Sequence, residues 1–476
     1  MKKHNIISYT YYYVLVVLML FFAIYTATKF PYTYITMEGD DFWVLTRGYW
    51  QMKLAMLPAF SNWLSDFLKQ FYFSPYLAAA VQTSVLGLTG LLAYLVLRLT
   101  FKEKRLLHWL GLLPPILLGY YCTFDLSFQL QWLFFFAFLL IYRLIPNLKA
   151  QLFWSILSVA IGFFLMRTPI LFLLLLSYAL MTFKSHNWKK SLYLILPLSV
   201  LIPMPLVYSQ QVAFIPFEER YMAWGGRFEP LTSSYNQQGE YVKKLVCLSS
   251  EGKWEELIYK ARAKNEARRG NGVALRYALL AESALGTLPE NLFDYPISDE
   301  NLFLFPHQDS SIAHQFNWLF YLNLGVYDEV FHQAEEYGLR QPNGVCFSSL
   351  RQMVDSSIEE GDWEIAEKYL QILSKSSRHK GFVRDSRARI QNSKKQKSKD
   401  IPLRADNFVG GYSLPVEMLR LARYYGDASR QKKMTDYAIC SYILRGDRNS
   451  FRIAVQAFDI YKDKPLPRAY QLFMDM

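Results

Sequence analysis

The first 208 residues of this 476-residue chain hold about seven apolar segments joined by very short charged connectors, and beyond Tyr208 such runs stop. A run of ~20 apolar residues is long enough to cross a ~30 Å hydrocarbon layer, and inside lipid a helix satisfies every backbone group within its own segment. The pattern predicts an all-α chain in three parts. These are a polytopic transmembrane helical domain over 1–208, an interfacial connector over 209–224 and a soluble α-helical domain over 225–476.

A net charge of +12 raises the question of nucleic acid, which the position of the charge answers. Residues 1–210 hold 16 Lys and Arg against 6 Asp and Glu, whereas residues 211–476 hold 36 against 34. The excess sits in connectors such as Lys2-Lys3, Arg98 to Arg105, Arg143 to Lys149, and Lys184 to Lys190. Clusters of this kind flank spans on the cytoplasmic side, so the basic balance is a topology signal and no nucleic-acid partner is expected.

Two long stretches decide orientation. Gln151 to Phe183 would be about 50 Å as one helix, too long for a single crossing, and it is interrupted at Met166-Arg167-Thr168-Pro169 between basic flanks. A hairpin with Arg167–Pro169 outside accounts for this. Leu106 to Tyr142 reads the same way, with its turn at Thr123 to Ser127 around Asp125 and a kink at Pro114-Pro115 in the first limb. Shallow re-entrant limbs would give the same parity. With Tyr9–Ala27 leading out, Pro75–Leu97 leading back and Ser191–Tyr208 leading out again, the N-terminus is expected in the cytoplasm of a bacterial inner membrane and the C-terminal half in the periplasm.

In the C-terminal half, Gly252-Lys-Trp254, Gly325-Val-Tyr327 and Gly361-Asp-Trp363 each set Gly two residues before an aromatic, at separations of 73 and 36, with Gly286 near the missing midpoint. Tyr424-Tyr-Gly-Asp427 and Arg445-Gly-Asp447 continue the pattern, while Asn392–Lys399 interrupts it as an exposed loop. This spacing resembles the tetratricopeptide family and its relatives, best in Gly361 to Leu370, where Ala366 and Leu370 fall at the interlocking positions. The resemblance implies antiparallel helix pairs whose concave surface binds a protein or peptide.

Cys122, Cys247, Cys346 and Cys440 have no metal-ligand spacing, and His307-Gln-Asp309 with His314 lacks a second cluster, so no metal is expected. No phosphate-loop, dinucleotide or nucleophile-elbow motif calls for a cofactor. Phe214 to Trp224 reads as an aromatic anchor at the membrane interface.

One constellation could carry chemistry: Glu38, Asp40 and Asp41 just beyond the first span, with Asp125 on the next external turn. In layout it resembles the C-type membrane glycosyltransferases. That resemblance implies a polyprenyl-linked sugar as donor, Asp40 or Asp41 as the base activating an acceptor hydroxyl, and Arg47 or Arg167 facing the lipid phosphate. The stretch Gln70-Phe-Tyr-Phe-Ser-Pro75 before the second span resembles instead an uncharacterised family of bacterial multi-pass proteins, a resemblance that implies no activity. A transporter would need ionisable groups along its path, and Arg167 is nearly the only one within these runs. The reading favoured by the sequence is a cell-envelope scaffold or assembly factor contacting membrane lipids.

Overall fold

The computed structural model describes residues 2–185, 195–211, 228–263, 272–297, 303–304, 311–396, 413–424, 427–458 and 465–475. Among these the chain is helices and turns without a strand, and it divides into two compact units, Met1–Glu240 and Tyr241–Met476.

The first unit begins with α1 (Lys2–Lys29), three short helices α2 (Pro31–Gly39), α3 (Arg47–Leu54) and α4 (Ala59–Lys69), and then α5 (Pro75–Thr100). A 3-10 segment, Arg105–Leu112, leads into α6 (Leu113–Tyr121), followed by α7 (Leu126–Leu144), α8 (Leu148–Leu165), α9 (Thr168–Ser185), α10 (Ile195–Leu201) and α11 (Pro203–Gln211). Among the described residues, four helices are long and apolar enough to cross a membrane: α1 from Tyr9, α5, α7 and α8. The chain turns between α6 and α7 at Cys122–Asp125 and between α8 and α9 at Met166–Arg167.

Two apolar runs are shorter than their hydropathy suggests. Pro114-Pro115 opens α6 instead of kinking a longer helix, because proline fits the first helical turn, where its missing N–H costs nothing. The nine residues of α6 reach only about 14 Å. The described part of the last run is likewise split at Ile202, before Pro203.

At the centre of this unit is α5, which packs against α1, α2, α6 and α7. The Tyr11 hydroxyl donates to the Gly90 carbonyl at 2.8 Å, and the Tyr11 ring stacks on Tyr94 at 4.1 Å. Between α7 and α9, Tyr142 stacks on Tyr178 at 4.1 Å and its hydroxyl meets Thr182 Oγ1 at 2.5 Å. Outward, α1 exposes Tyr9, Tyr13, Val16, Val17, Leu20, Phe21 and Ile24, a stripe at helical spacing that suits an apolar surrounding. Residues 228–240 fold onto the same unit. Glu229 and Leu231 donate backbone N–H groups to the carbonyls of Tyr121 and Tyr120 at 2.9 and 2.8 Å. The Glu240 carboxylate accepts from the Tyr32 and Thr33 N–H groups, both at 2.8 Å, at the start of α2.

The second unit runs through α12 (Ser234–Ser250), which straddles the division, α13 (Trp254–Ala263), α14 (Gly272–Leu285), α15 (Leu288–Asn291), α16 (Ser311–Leu324), α17 (Tyr327–Leu339), α18 (Phe347–Glu360), α19 (Trp363–Ser374) and α20 (Lys380–Gln396). It closes with α21 (Leu414–Tyr424), α22 (Ala428–Arg445), α23 (Arg448–Phe458) and α24 (Arg468–Asp475). Gly252, Gly286, Gly325, Gly361 and Gly446 each stand in the left-handed region, with φ between 69° and 88°, in the turns after α12, α14, α16, α18 and α22. From α16 to α20 each helix packs on the next, and Ala366 and Leu370 are fully buried.

The helix α22 returns to pack on α14, α15 and α16, with Arg430 donating to the Tyr327 hydroxyl at 2.7 Å and Lys433 to Asn323 Oδ1 at 3.0 Å. A solenoid in which each repeat touches only its neighbours lacks such a return. The expected loop at Asn392 is helical as far as Gln396, because Lys and Gln are good helix formers and Lys394 rests over the Trp363 ring at 5.3 Å. Residues 397–399 of that segment, the anchor Phe214–Trp224, and His307 and Asp309 lie outside the described residues.

Candidate functional site

The acidic loop folds into a buried charge cluster. A turn after α2 brings Asp41 inward, where its carboxylate accepts from Lys69 Nζ at 2.9 Å. Lys69 also faces Asp66 Oδ1 at 3.8 Å, one helical turn back on α4. Asp66 pairs in addition with Lys53 of α3 and accepts from the Tyr49 hydroxyl at 2.6 Å. The side chains of Lys53 and Asp66 are only 3% and 8% exposed, so neither charge is solvated and each depends on the other.

Burial raises the Asp41 carboxyl, but the Lys69 ammonium, helped by Lys53, outweighs it and holds the group below the ordinary carboxylate range. Asp66 goes the other way: burial, and then the Asp41 charge, lift it despite its two lysines. Burial depresses Lys69 less than Asp41 and Asp66 raise it, so it stays firmly charged. A general base works best with a pKa near the operating pH, so a carboxylate held low and locked to an ammonium is a weak one. Of the two carboxyls, Asp66 is the better proton acceptor, and it faces Lys53 and Tyr49.

The other residues singled out in the sequence are dispersed around this cluster. Asp40 stands half-exposed at the end of α2, its N–H on the Thr36 carbonyl at 2.8 Å. Arg47 opens α3, exposed and without an ion pair among the described residues. Asp125 caps α7 by accepting from the Phe128 N–H at 2.9 Å, close enough for its charge to act on Lys69. Arg167 stands in the turn before α9, its N–H on Gln131 Oε1 at 3.1 Å, two residues beyond the Leu165 carbonyl that accepts from Ser61.

The cluster joins Asp41 to Lys53, Asp66, Lys69 and Tyr49, none of which stands out in the sequence. The available signal was the polar stripe Ser61, Asn62, Ser65, Asp66 and Lys69 along one face of α4. Among the described residues, no three His, Cys, Asp or Glu side chains are grouped to hold a metal ion. His314 is buried with Nδ1 against Gln333 at 2.9 Å, as a core histidine.

These features define an all-helical protein of two compact units, with four helices among the described residues long and apolar enough to cross a membrane and an ion-paired loop between the first two of them. The chain belongs to a family of unknown function, DUF6057, which matches it over residues 5–472. The match extends the expected membership of an uncharacterised family from the first loop to both units. No curated protein and no solved structure matches the chain.

Proposed function

We propose that this chain is a multi-pass protein of a bacterial inner membrane, with its seven apolar runs lodged in the bilayer and its N-terminus cytoplasmic. On this reading the C-terminal unit is periplasmic and acts as a cell-envelope scaffold or assembly factor, holding a protein or peptide on tetratricopeptide-like helix pairs. The observation that carries the reading is the uninterrupted stack α16 to α20, with left-handed glycines in its first three turns at Gly325, Gly344 and Gly361, because a stacked helical array is a binding surface more often than a catalytic one. The apolar stripe left open on α1 supports the membrane assignment. The low, ion-paired carboxyl of Asp41 favours a scaffold over a sugar transferase that would use it as base.

The test is photo-crosslinking in cells from Tyr259 and Leu339, both exposed, in the full-length chain. The reading predicts discrete heavier adducts at one position or both. Normal expression with no adduct at either position contradicts it.

A further inference from the structure

The short helix α4 is amphipathic, and its polar side is buried more deeply than its aromatic side. Ser61 and Ser65 are 0% and 1% exposed, and Asp66 lies in the charge cluster. On that face Ser61 Oγ donates to the Leu165 carbonyl at 2.5 Å, Asn62 Oδ1 accepts from Ser127 Oγ at 2.6 Å while its Nδ2 donates to the Met56 carbonyl at 2.8 Å, and Lys69 donates to Asp41 at 2.9 Å.

The opposite face carries an aromatic ladder, Phe60, Trp63 and Phe67 running on to Phe71, with successive ring centroids 5.7, 6.2 and 5.8 Å apart. Phe60, Trp63 and Phe67 are half-buried, Phe60 against Phe134 at 6.1 Å and Trp63 and Phe67 against Trp43 at 5.6 and 5.1 Å, whereas Phe71 and Phe73 are 38% and 49% exposed. In water the preference runs the other way, because burying a Phe or Trp stabilises by roughly 1.5–3 kcal/mol and burying a charge costs free energy unless it is paired. A helix that buries serines and an aspartate more deeply than its aromatics, and ends in the exposed Phe71 and Phe73, is matched to an apolar exterior.

Phe71 and Phe73 lead directly into α5, whose apolar run opens at Pro75 with Tyr76 and Leu77 exposed. The aromatic surface is thus continuous in sequence with a candidate span, at the level where Trp and Tyr belts gather in membranes. We infer that the C-terminal end of α4 lies in the lipid interface, with Phe71 and Phe73 against the bilayer and the polar face of the helix closing the charge cluster. The partner of this surface is the lipid bilayer itself. The paired charges are then the arrangement that permits ionised groups at that depth. The inference rests on the membrane reading proposed above, and the experiment separates the two.

Phe71→Cys and Phe73→Cys, each in a Cys247→Ser background, are spin-labelled after reconstitution of the full chain into phosphatidylethanolamine–phosphatidylglycerol vesicles. Both positions are partly exposed, so little packing is lost. Collision with oxygen, which partitions into lipid, is compared with collision with a water-soluble nickel chelate. Leu88→Cys, exposed within α5, serves as lipid reference, and Tyr259→Cys as water reference. The expected result is nickel accessibility at Phe71 and Phe73 several-fold below that at Tyr259, with oxygen accessibility near that at Leu88. Water-like labels at both positions with a lipid-like Leu88 overturn the inference and leave the membrane reading standing. A water-like Leu88 overturns both.

Discussion

Lys69 faces two carboxylates in a place with little water, sharing Asp66 with Lys53. Its ammonium lies 2.9 Å from Asp41 and 3.8 Å from Asp66, so Lys69→Met leaves both anions short of a partner. Removing one member of a buried ion pair costs about 3–5 kcal/mol, against ~0–1 for an exposed pair. Chemical denaturation in detergent should therefore show a loss near the upper range, with Lys69→Arg retaining most of the stability. A loss within the exposed range would show that the cluster is solvated. Little of this cluster was legible in the sequence, because Asp41 and Lys69 are 28 residues apart and ion pairs at that separation leave no periodic trace. Asp41 stood out for being acidic beyond a span. Its partners lay among residues that read as ordinary polar positions of an amphipathic helix.

At the scale of elements, the helix boundaries were readable wherever backbone chemistry dictates them. Pro169 follows the α8–α9 turn, and Gly252, Gly325 and Gly361 end their helices because each must adopt a positive φ. What was not readable is which helices meet over long distances, such as the return of α22 onto α14 and α16, since that depends on side chains far apart in the chain. Two glycines separate backbone conformation from packing. A Cβ at either Gly446 or Gly239 meets nothing within 4 Å, yet Gly446 has φ +70° whereas Gly239 is an ordinary helical residue of α12. Gly446→Ala should destabilise by about 1–2 kcal/mol and Gly239→Ala should stabilise by roughly 0.5–1 kcal/mol. Thermal unfolding of the two variants checks this, and equal shifts of one sign would contradict the assignment of Gly446 as a left-handed cap.

At the scale of the whole molecule, one family spans both units, so the apolar helices and the helical array belong to a single design. Two of the three thiols in the C-terminal half are sheltered from oxidation, while Cys247 is half-buried. Cys346 and Cys440 are buried, and burial pushes the Cys440 thiol well up, away from the reactive thiolate. The proposed orientation requires an odd number of crossings between the N-terminus and Tyr208. The measurement that tests this most directly is a pair of C-terminal reporter fusions after Met476, alkaline phosphatase and green fluorescent protein, in a bacterial host. An active phosphatase with a dark fluorescent fusion is the predicted result. A fluorescent fusion with an inactive phosphatase, at equal expression, would contradict the account.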